Sequence, residues 1–346
     1  MVWRTNFPEV MFSAAGAVAR WIAPFLTVAA FAGTVGMGFL ADPVQVGHAP
    51  AVRLADEANP LGGAPFYVNP TSAAMRAAQH ADPPSAELTA IANTPQANWI
   101  VPGSSAATVA KYTGDAQAAG AIPVLTLYGI PHRDCGSFAA GGLATADDYR
   151  AWIDGIASDA GASRTAIIVE PDALAMADCL SADQRQERYD LIRYAVDTLT
   201  RNPATAVYVD AGHLRWHSAE DMAARLNKVD IGRARGFSLN TSNFFTTGDE
   251  IGYGEAISGL TNGSHYVIDT SRNGAGPAPD SELNWCNPSG RALGTPPTVA
   301  TGGAHADAYL WIKRPGESDG TCGKGDPPAG TFVNQYAIDL ARTAGH

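Results

Sequence analysis

Two features of the sequence predict an α/β fold of the parallel-barrel type. Short β-branched or aromatic runs alternate with helical patterns, and acidic residues recur where those runs end. The candidate strands are Phe66–Val68, Trp99–Val101, Ile122–Tyr128, Thr165–Glu170, Ala206–Asp210, Gly236–Asn240, Tyr266–Asp269 and Ala308–Ile312. Between them, Thr145–Ala160 places Tyr149, Trp152, Ile153 and Ile156 at helical spacing. The next helix, Ser181–Arg201, opens with a capping box of Ser181 and Gln184 and repeats Tyr189, Ile192, Val196 and Leu199. Seven or eight such units without an internal break favour one barrel over the two domains that 346 residues would suggest. Two long segments depart from the rhythm, Thr270–Thr298 and Lys313–Gly330. Each carries one of the last two cysteines, and a Cys286–Cys322 bridge is expected to pin both over one end of the barrel.

Composition narrows the class. With 46% hydrophobic and 16% charged residues the chain is neither disordered nor collagen-like. Its 23 basic and 34 acidic residues give a net charge of −11 with no basic cluster, which excludes a nucleic-acid partner. Arg4 and Arg20 precede a run from Trp21 to Ala41 without a charge, long enough to cross a ~30 Å hydrocarbon core. Residues 1–41 are therefore read as a signal sequence or an N-terminal membrane anchor, and the two remain open; the chain meets a membrane only if this segment is retained. Export of the remainder suits four cysteines with no C-x-x-C pair, read as two disulfides. Residues 42–63, polar and punctuated by Pro and Gly, are read as a linker, with the folded unit beginning near Pro65.

The chemistry is expected at the carboxyl ends of the strands, where loops of parallel barrels build active sites. Asp134 and Cys135 follow the strand ending at Tyr128, in Tyr-Gly-Ile-Pro-His-Arg-Asp-Cys. Glu170-Pro-Asp172 ends the next, Asp210-Ala-Gly-His213 its successor, and Trp311-Ile-Lys313-Arg-Pro-Gly-Glu317-Ser-Asp319 the last. Converging carboxylates either ligate a hard metal or pair as acid and base. There is no H-E-x-x-H or H-x-H, and His213 and His217 read as a surface pair, so acid–base work is the better reading and no metal is expected. Trp99, Tyr128, Trp216, Trp285 and Trp311 fall at or just after strand ends, and flat aromatic faces there suit a sugar-binding groove. Neither a G-x-S-x-G elbow, a Walker A sequence nor a post-strand G-x-G-x-x-G is present.

Taken in order, Tyr128–Cys135, Glu170-Pro-Asp172, Asp210 to His213 with Trp216, Asn240-Thr-Ser-Asn243, Asp269-Thr-Ser-Arg272-Asn273-Gly, Trp285-Cys286 and Trp311 through Gly320 resemble glycoside hydrolase family 6, over about Pro65 to His346. The resemblance implies a distorted seven-stranded parallel β/α barrel (TIM-like), with 64–346 as the catalytic domain. It implies cleavage of β-1,4-glucosidic bonds in cellulose and cello-oligosaccharides with inversion and no cofactor; a monomer is expected. Residue by residue, it makes Asp172 the general acid and Asp134 the neighbouring carboxylate that raises its pKa, with Arg133 keeping Asp134 charged. Asp319 matches the candidate general base, and Tyr128 would lie beneath the distorted sugar. Lys313, Glu317, His213, Asn243, Trp99, Trp216 and Trp285 match positions lining the sugar subsites, with Asp210 as substrate-site support. Glu170 is expected to be structural, and Asp269 and Arg272 to pair with each other across the long loop. The resemblance also implies Cys135–Cys179 and Cys286–Cys322 bridges. The short stretch from Asp172 to Ser181 and the modest 313–330 loop favour an open cleft and endo action. An exo-acting cellobiohydrolase and a non-catalytic glucan-binding protein are the alternatives. Intact Asp134, Asp172 and Asp319 speak against the latter, because binding needs no proton donor.

Overall fold

The computed structural model describes residues 58–346, apart from 105 and 282. The predicted targeting segment, 1–41, and most of the predicted linker lie outside the described residues. Among the described residues, seven strands form one parallel sheet in sequential order: β1 (Asn98–Ile100), β2 (Val124–Leu127), β3 (Thr165–Val169), β4 (Thr205–Asp210), β5 (Gly236–Leu239), β6 (His265–Asp269) and β7 (Ala306–Leu310). Helices α3 (Ala106–Ala118), α4 (Ala146–Ala160), α5 (Ala182–Leu199), α6 (Ala219–Lys228) and α7 (Thr247–Leu260) follow β1 to β5 in turn. Two short helices, α1 (Ala73–Gln79) and α2 (Ala86–Ala92), precede the sheet, and α8 (Asn334–Thr343) closes the chain. No strand ladder joins β1 to β7 among the described residues. Instead the curled sheet brings their ends together through Ala97 N–H, which donates to the Trp311 carbonyl at 2.9 Å, and Trp99 Nε1, which donates to that of Ile312 at 2.8 Å.

Strand periodicity sorts the core into two layers. In β3, Ala166 and Ile168 point to the barrel interior with Val124, Ala206, Tyr208, Val267 and Leu310, whereas Ile167 and Val169 pack outward under the helices. Both faces are buried, which is why these strands read as continuous apolar runs. A third cluster joins α1, α2 and α8 around Leu293 and Trp311. The helix starts follow local chemistry: Ser72, Ser85, Thr145, Ser181, Ser218 and Thr246 each accept a backbone N–H of the first turn, and Ser181 with Gln184 completes the predicted capping box.

Two expectations change. The first candidate strand, at Phe66, is a single parallel bridge to Ile122 rather than an eighth strand. The end of the stretch read as linker is part of the fold: Leu61 is buried with the barrel interior, Asn59 Nδ2 donates to the Asp307 carbonyl, and Arg164 Nε donates to that of Pro60.

At the amino ends of the strands a charged cluster seals the barrel. Asp307 accepts from Arg235 Nε at 2.7 Å and Nη2 at 2.9 Å and from the Tyr208 hydroxyl at 2.7 Å, with His265 Nδ1 at 3.0 Å. Removing one partner of a buried ion pair leaves an uncompensated charge. Asp307→Ala should therefore lower the unfolding free energy by about 3–5 kcal/mol, read as a lower urea midpoint at unchanged slope. A loss below about 1 kcal/mol, the range of exposed pairs, would contradict this role.

Candidate active site

At the carboxyl ends of the strands lies a cavity of about 660 Å³. It gathers twelve of the thirteen residues assigned from the sequence to catalysis or sugar binding: Tyr128, Arg133, Asp134, Asp172, Asp319, Trp99, His213, Trp216, Asn243, Trp285, Lys313 and Glu317. The thirteenth, Asp210, lies just below. It is 1% exposed and accepts from the backbone N–H of Asp172 at 3.0 Å and of Gly212 at 3.1 Å, and from Ser238 Oγ at 2.9 Å and Thr241 Oγ1 at 2.7 Å. Burial pushes its pKa up to about 6 even though those donors favour the charged form.

Asp172 leaves β3 by an unusual backbone route. Glu170 and Asp172, on either side of Pro171, have φ of 53° and 69°, a left-handed region disfavoured for residues with a Cβ. Strain of this kind, ~1–3 kcal/mol per residue, persists only where the surroundings fix it. Here the fully buried Glu170 carboxylate accepts the backbone N–H of Gly129 at 2.9 Å and of Ile130 at 3.1 Å, tying the end of β3 to the loop after β2. Its expected structural part matches this position. Burial, reinforced by Asp210, Asp134 and Asp319 and opposed by Lys313, holds the Asp172 pKa well above the ordinary carboxylate value.

Asp319 is the electrostatic opposite. Arg272 Nη1 donates to its Oδ2 at 2.8 Å, Lys313 Nζ lies 3.1 Å from Oδ1, and Asn287 N–H donates at 3.1 Å. Burial works against ionisation, but the two cations and the Asn287 N–H outweigh it and hold the pKa below its usual value. The expected Asp269–Arg272 pair is therefore corrected. Arg272, fully buried, turns to Asp319 and the Ser242 carbonyl and lies 4.3 Å over the Phe244 ring. Asp269 accepts four backbone N–H groups instead, from Ser242, Ser271, Ile312 and Lys313.

Three further expectations are revised. Arg133 is expected to keep Asp134 charged, and its charge does favour that form without overcoming burial; its side chain donates instead to the carbonyls of Tyr128 at 2.7 Å and Ala139 at 2.9 Å and lies 4.6 Å over the Tyr128 ring. Asp134 accepts from Ala139 N–H, and burial raises its pKa against that bond and the Arg133 charge. His213 and His217 are not a surface pair. His213 sits between Trp216 and Phe245, with burial, His217 and Arg215 lowering its pKa to about 4, and His217 bonds to Asp221 and the Ala175 carbonyl. Trp311 is 3% exposed and belongs to the α1–α2–α8 cluster, not to the groove.

Trp99 and Tyr128 meet edge to face at 5.2 Å, and Phe138 approaches Trp285 at 6.0 Å across the cavity. Phe138, Met176 and Arg215 also line it, although no strand-end motif marks them, as does Ser242 of the Asn240-Thr-Ser-Asn243 motif. The signal for Phe138 lies in a glycine: Gly320, at φ 144°, would drive a Cβ to within 2.4 Å of Phe138 Cβ, so the loops bearing Asp134 and Asp319 touch there. Both bridges are present, Cys135–Cys179 joining the Asp134 loop to the segment after Asp172, and Cys286–Cys322 joining the Trp285 loop to the Asp319 loop.

A parallel barrel with an aromatic-lined cleft and two carboxyl groups whose pKa values are driven apart defines an acid–base hydrolase of glycosides. The sequence profile of glycosyl hydrolases family 6 matches residues 61–344, and the chain belongs to that family. It is 45% identical over 285 residues to endoglucanase A of Cellulomonas fimi, an alignment covering 81% of this chain and 61% of that protein. It is 40% identical over 311 residues to endoglucanase 1 of Streptomyces halstedii, covering 86% and 94%. Among solved structures, the endoglucanase Cel6 of Mycobacterium tuberculosis, in complex with methyl-cellobiosyl-4-deoxy-4-thio-β-D-cellobioside, superposes with a TM-score of 0.83 at 76% identity, covering 84% of this chain and all of that one.

Since each disulfide anchors a loop carrying a cavity aspartate while the sheet contains none, reductant should abolish hydrolytic activity at concentrations that leave the far-UV circular dichroism unchanged. Simultaneous loss of both signals would contradict a local role for the bridges.

Proposed function

We propose that this chain is an endo-β-1,4-glucanase that hydrolyses internal bonds of cellulose and related β-glucans with inversion. The observation that carries the reading is the opposite electrostatics of Asp172 and Asp319 in one cavity. Asp172, kept protonated, gives its proton to the glycosidic oxygen as the C1–O bond breaks. A water attacks C1 from the other face, forming the new C–O bond, and its proton passes to ionised Asp319. Asp134 and Asp210 serve by keeping negative charge near Asp172, and Tyr128 lies under the sugar at the cleavage point. Trp99, Trp216 and Trp285 offer apolar faces to pyranose rings, while neutral His213, Asn243, Lys313 and Glu317 supply polar contacts.

Endo action is supported by the short connection after Asp172, where one 3-10 turn (Ala175–Cys179) leads directly into α5. The two disulfides support function outside the cytoplasm. A single catalytic domain, beginning by Leu61 rather than Pro65, accounts for the described residues.

Asp172→Ala should lower kcat on carboxymethylcellulose by about 10²–10⁴-fold, the usual worth of general acid catalysis. A dinitrophenyl cellooligosaccharide, whose leaving group needs no proton, should recover much of the loss. Equal activity in both proteins would refute the assigned acid, and absence of activity in the wild type would favour a binding protein. Wild-type activity should fall as pH rises through the raised pKa of Asp172, and fall again as pH drops through the lowered pKa of Asp319. A profile flat on its alkaline side up to the pH of unfolding would contradict the assignment.

A further inference from the structure

The two segments that carry Asp134 and Asp172 are gripped by one side chain that the proposed chemistry does not use. Arg188, on α5, is 2% exposed. Its Nη2 donates to the carbonyls of Pro131 at 2.9 Å and His132 at 2.8 Å, and its Nη1 donates to the carbonyl of Ala173 at 3.2 Å. The first two carbonyls lie just before Asp134, and the third immediately follows Asp172. One planar guanidinium thus spans the loop after β2 and the loop after β3. We infer that Arg188 is a positioning residue that sets the separation of Asp134 and Asp172, an inference that rests on the proposed role of Asp172 as the acid.

The local backbone gives the clamp something to do. His132, Asp134 and Cys135 have φ of 57°, 57° and 48°, so three residues with a Cβ occupy the left-handed region around this turn. Such a turn relaxes unless its peptide groups are held. Glu170 holds the N–H groups of Gly129 and Ile130, and Arg188 holds the carbonyls that follow, so a carboxylate and a guanidinium fix successive parts of one loop. The base of the clamp is firm. Helix α5 carries the capping box at its start and buries Leu191, Ile192, Ala195 and Val196 against the rest of the core. A guanidinium can bridge several carbonyls in fixed geometry, whereas an ammonium acts as a flexible point charge.

The consequence falls on proton affinity as well as rate. Asp172 is faced by Asp134, Asp210, Asp319 and Lys313, and Arg188 itself by Glu170, Tyr128, Tyr149 and Tyr189. Interaction between charges weakens with distance. If the Asp134 loop drifts away, Asp172 loses one of the charges that keep its proton on, and the alkaline limb of the kcat–pH profile moves to lower pH.

The test compares Arg188→Lys and Arg188→Gln in the full chain, with folding checked by circular dichroism and thermal unfolding. Arg235→Lys at the opposite end of the barrel serves as the structural control. The Arg188 variants should lose about 10- to 100-fold in kcat, the scale of an ångström-sized misplacement, with KM changed by less than about threefold, and with the alkaline limb displaced downward. The Arg235 variant should lose stability and keep the wild-type profile. Wild-type kcat and profile in either folded Arg188 variant would overturn the inference. So would a loss carried wholly by KM, the same profile shift in Arg235→Lys, or failure of both Arg188 variants to fold, which would make Arg188 a folding residue. Full activity in Asp172→Ala would instead overturn the acid assignment on which the inference rests.

Discussion

Negative charge cannot accumulate in a half-enclosed cleft without some carboxyl groups keeping their protons, and this constraint organises the upper end of the barrel. Asp172 stands over buried Asp210 and near Asp134, with Lys313 opposing them, while Asp319 is held between Arg272 and Lys313. The same residue type is thus driven in opposite directions within one cavity. That separation is what the proposed division into proton donor and proton acceptor needs.

The surrounding structure can be understood as support for that arrangement. Left-handed backbone at Glu170 and Asp172 turns the chain sharply out of β3, and the hydrogen bonds of Glu170, Asp210 and Arg188 absorb the cost by fixing neighbouring peptide groups. Across the cavity, Asp269 performs the corresponding service for the loops after β5 and β7 by accepting N–H groups from Ser242, Ile312 and Lys313. The loops that carry Asp134, Asp172 and Lys313 are thereby tied down by buried side chains at their bases.

Much of this was legible in the sequence because it is local. Strand runs, the Ser181 capping box and the carboxylates at strand ends are encoded in consecutive residues, and apart from the lone bridge at Phe66 they stand close to where their patterns put them. What escaped was tertiary. Adjacency suggested that Arg133 serves Asp134, but the backbone changes from φ −52° to +57° between them and their side chains take separate partners. Arg272 is near Asp269 in sequence yet pairs with Asp319, forty-seven residues on. Trp311 illustrates the strand period: Leu310 and Ile312 point into the barrel, so the residue between them faces outward to the α8 layer, whereas Trp99 packs against the interior cluster and borders the cavity.

The division of labour between Asp172 and Asp319 depends on where the protons sit in the unliganded cleft. Carbon-13 NMR of the aspartate carboxyl groups across pH, with Asp172→Asn and Asp319→Asn used to assign the two signals, reads this directly. Asp172 should remain protonated through the range in which Asp319 is already ionised, and Asp134→Asn should move the Asp172 titration to lower pH. Titration of Asp172 at or below the ordinary aspartate value of about 3.9, or before Asp319, would contradict it.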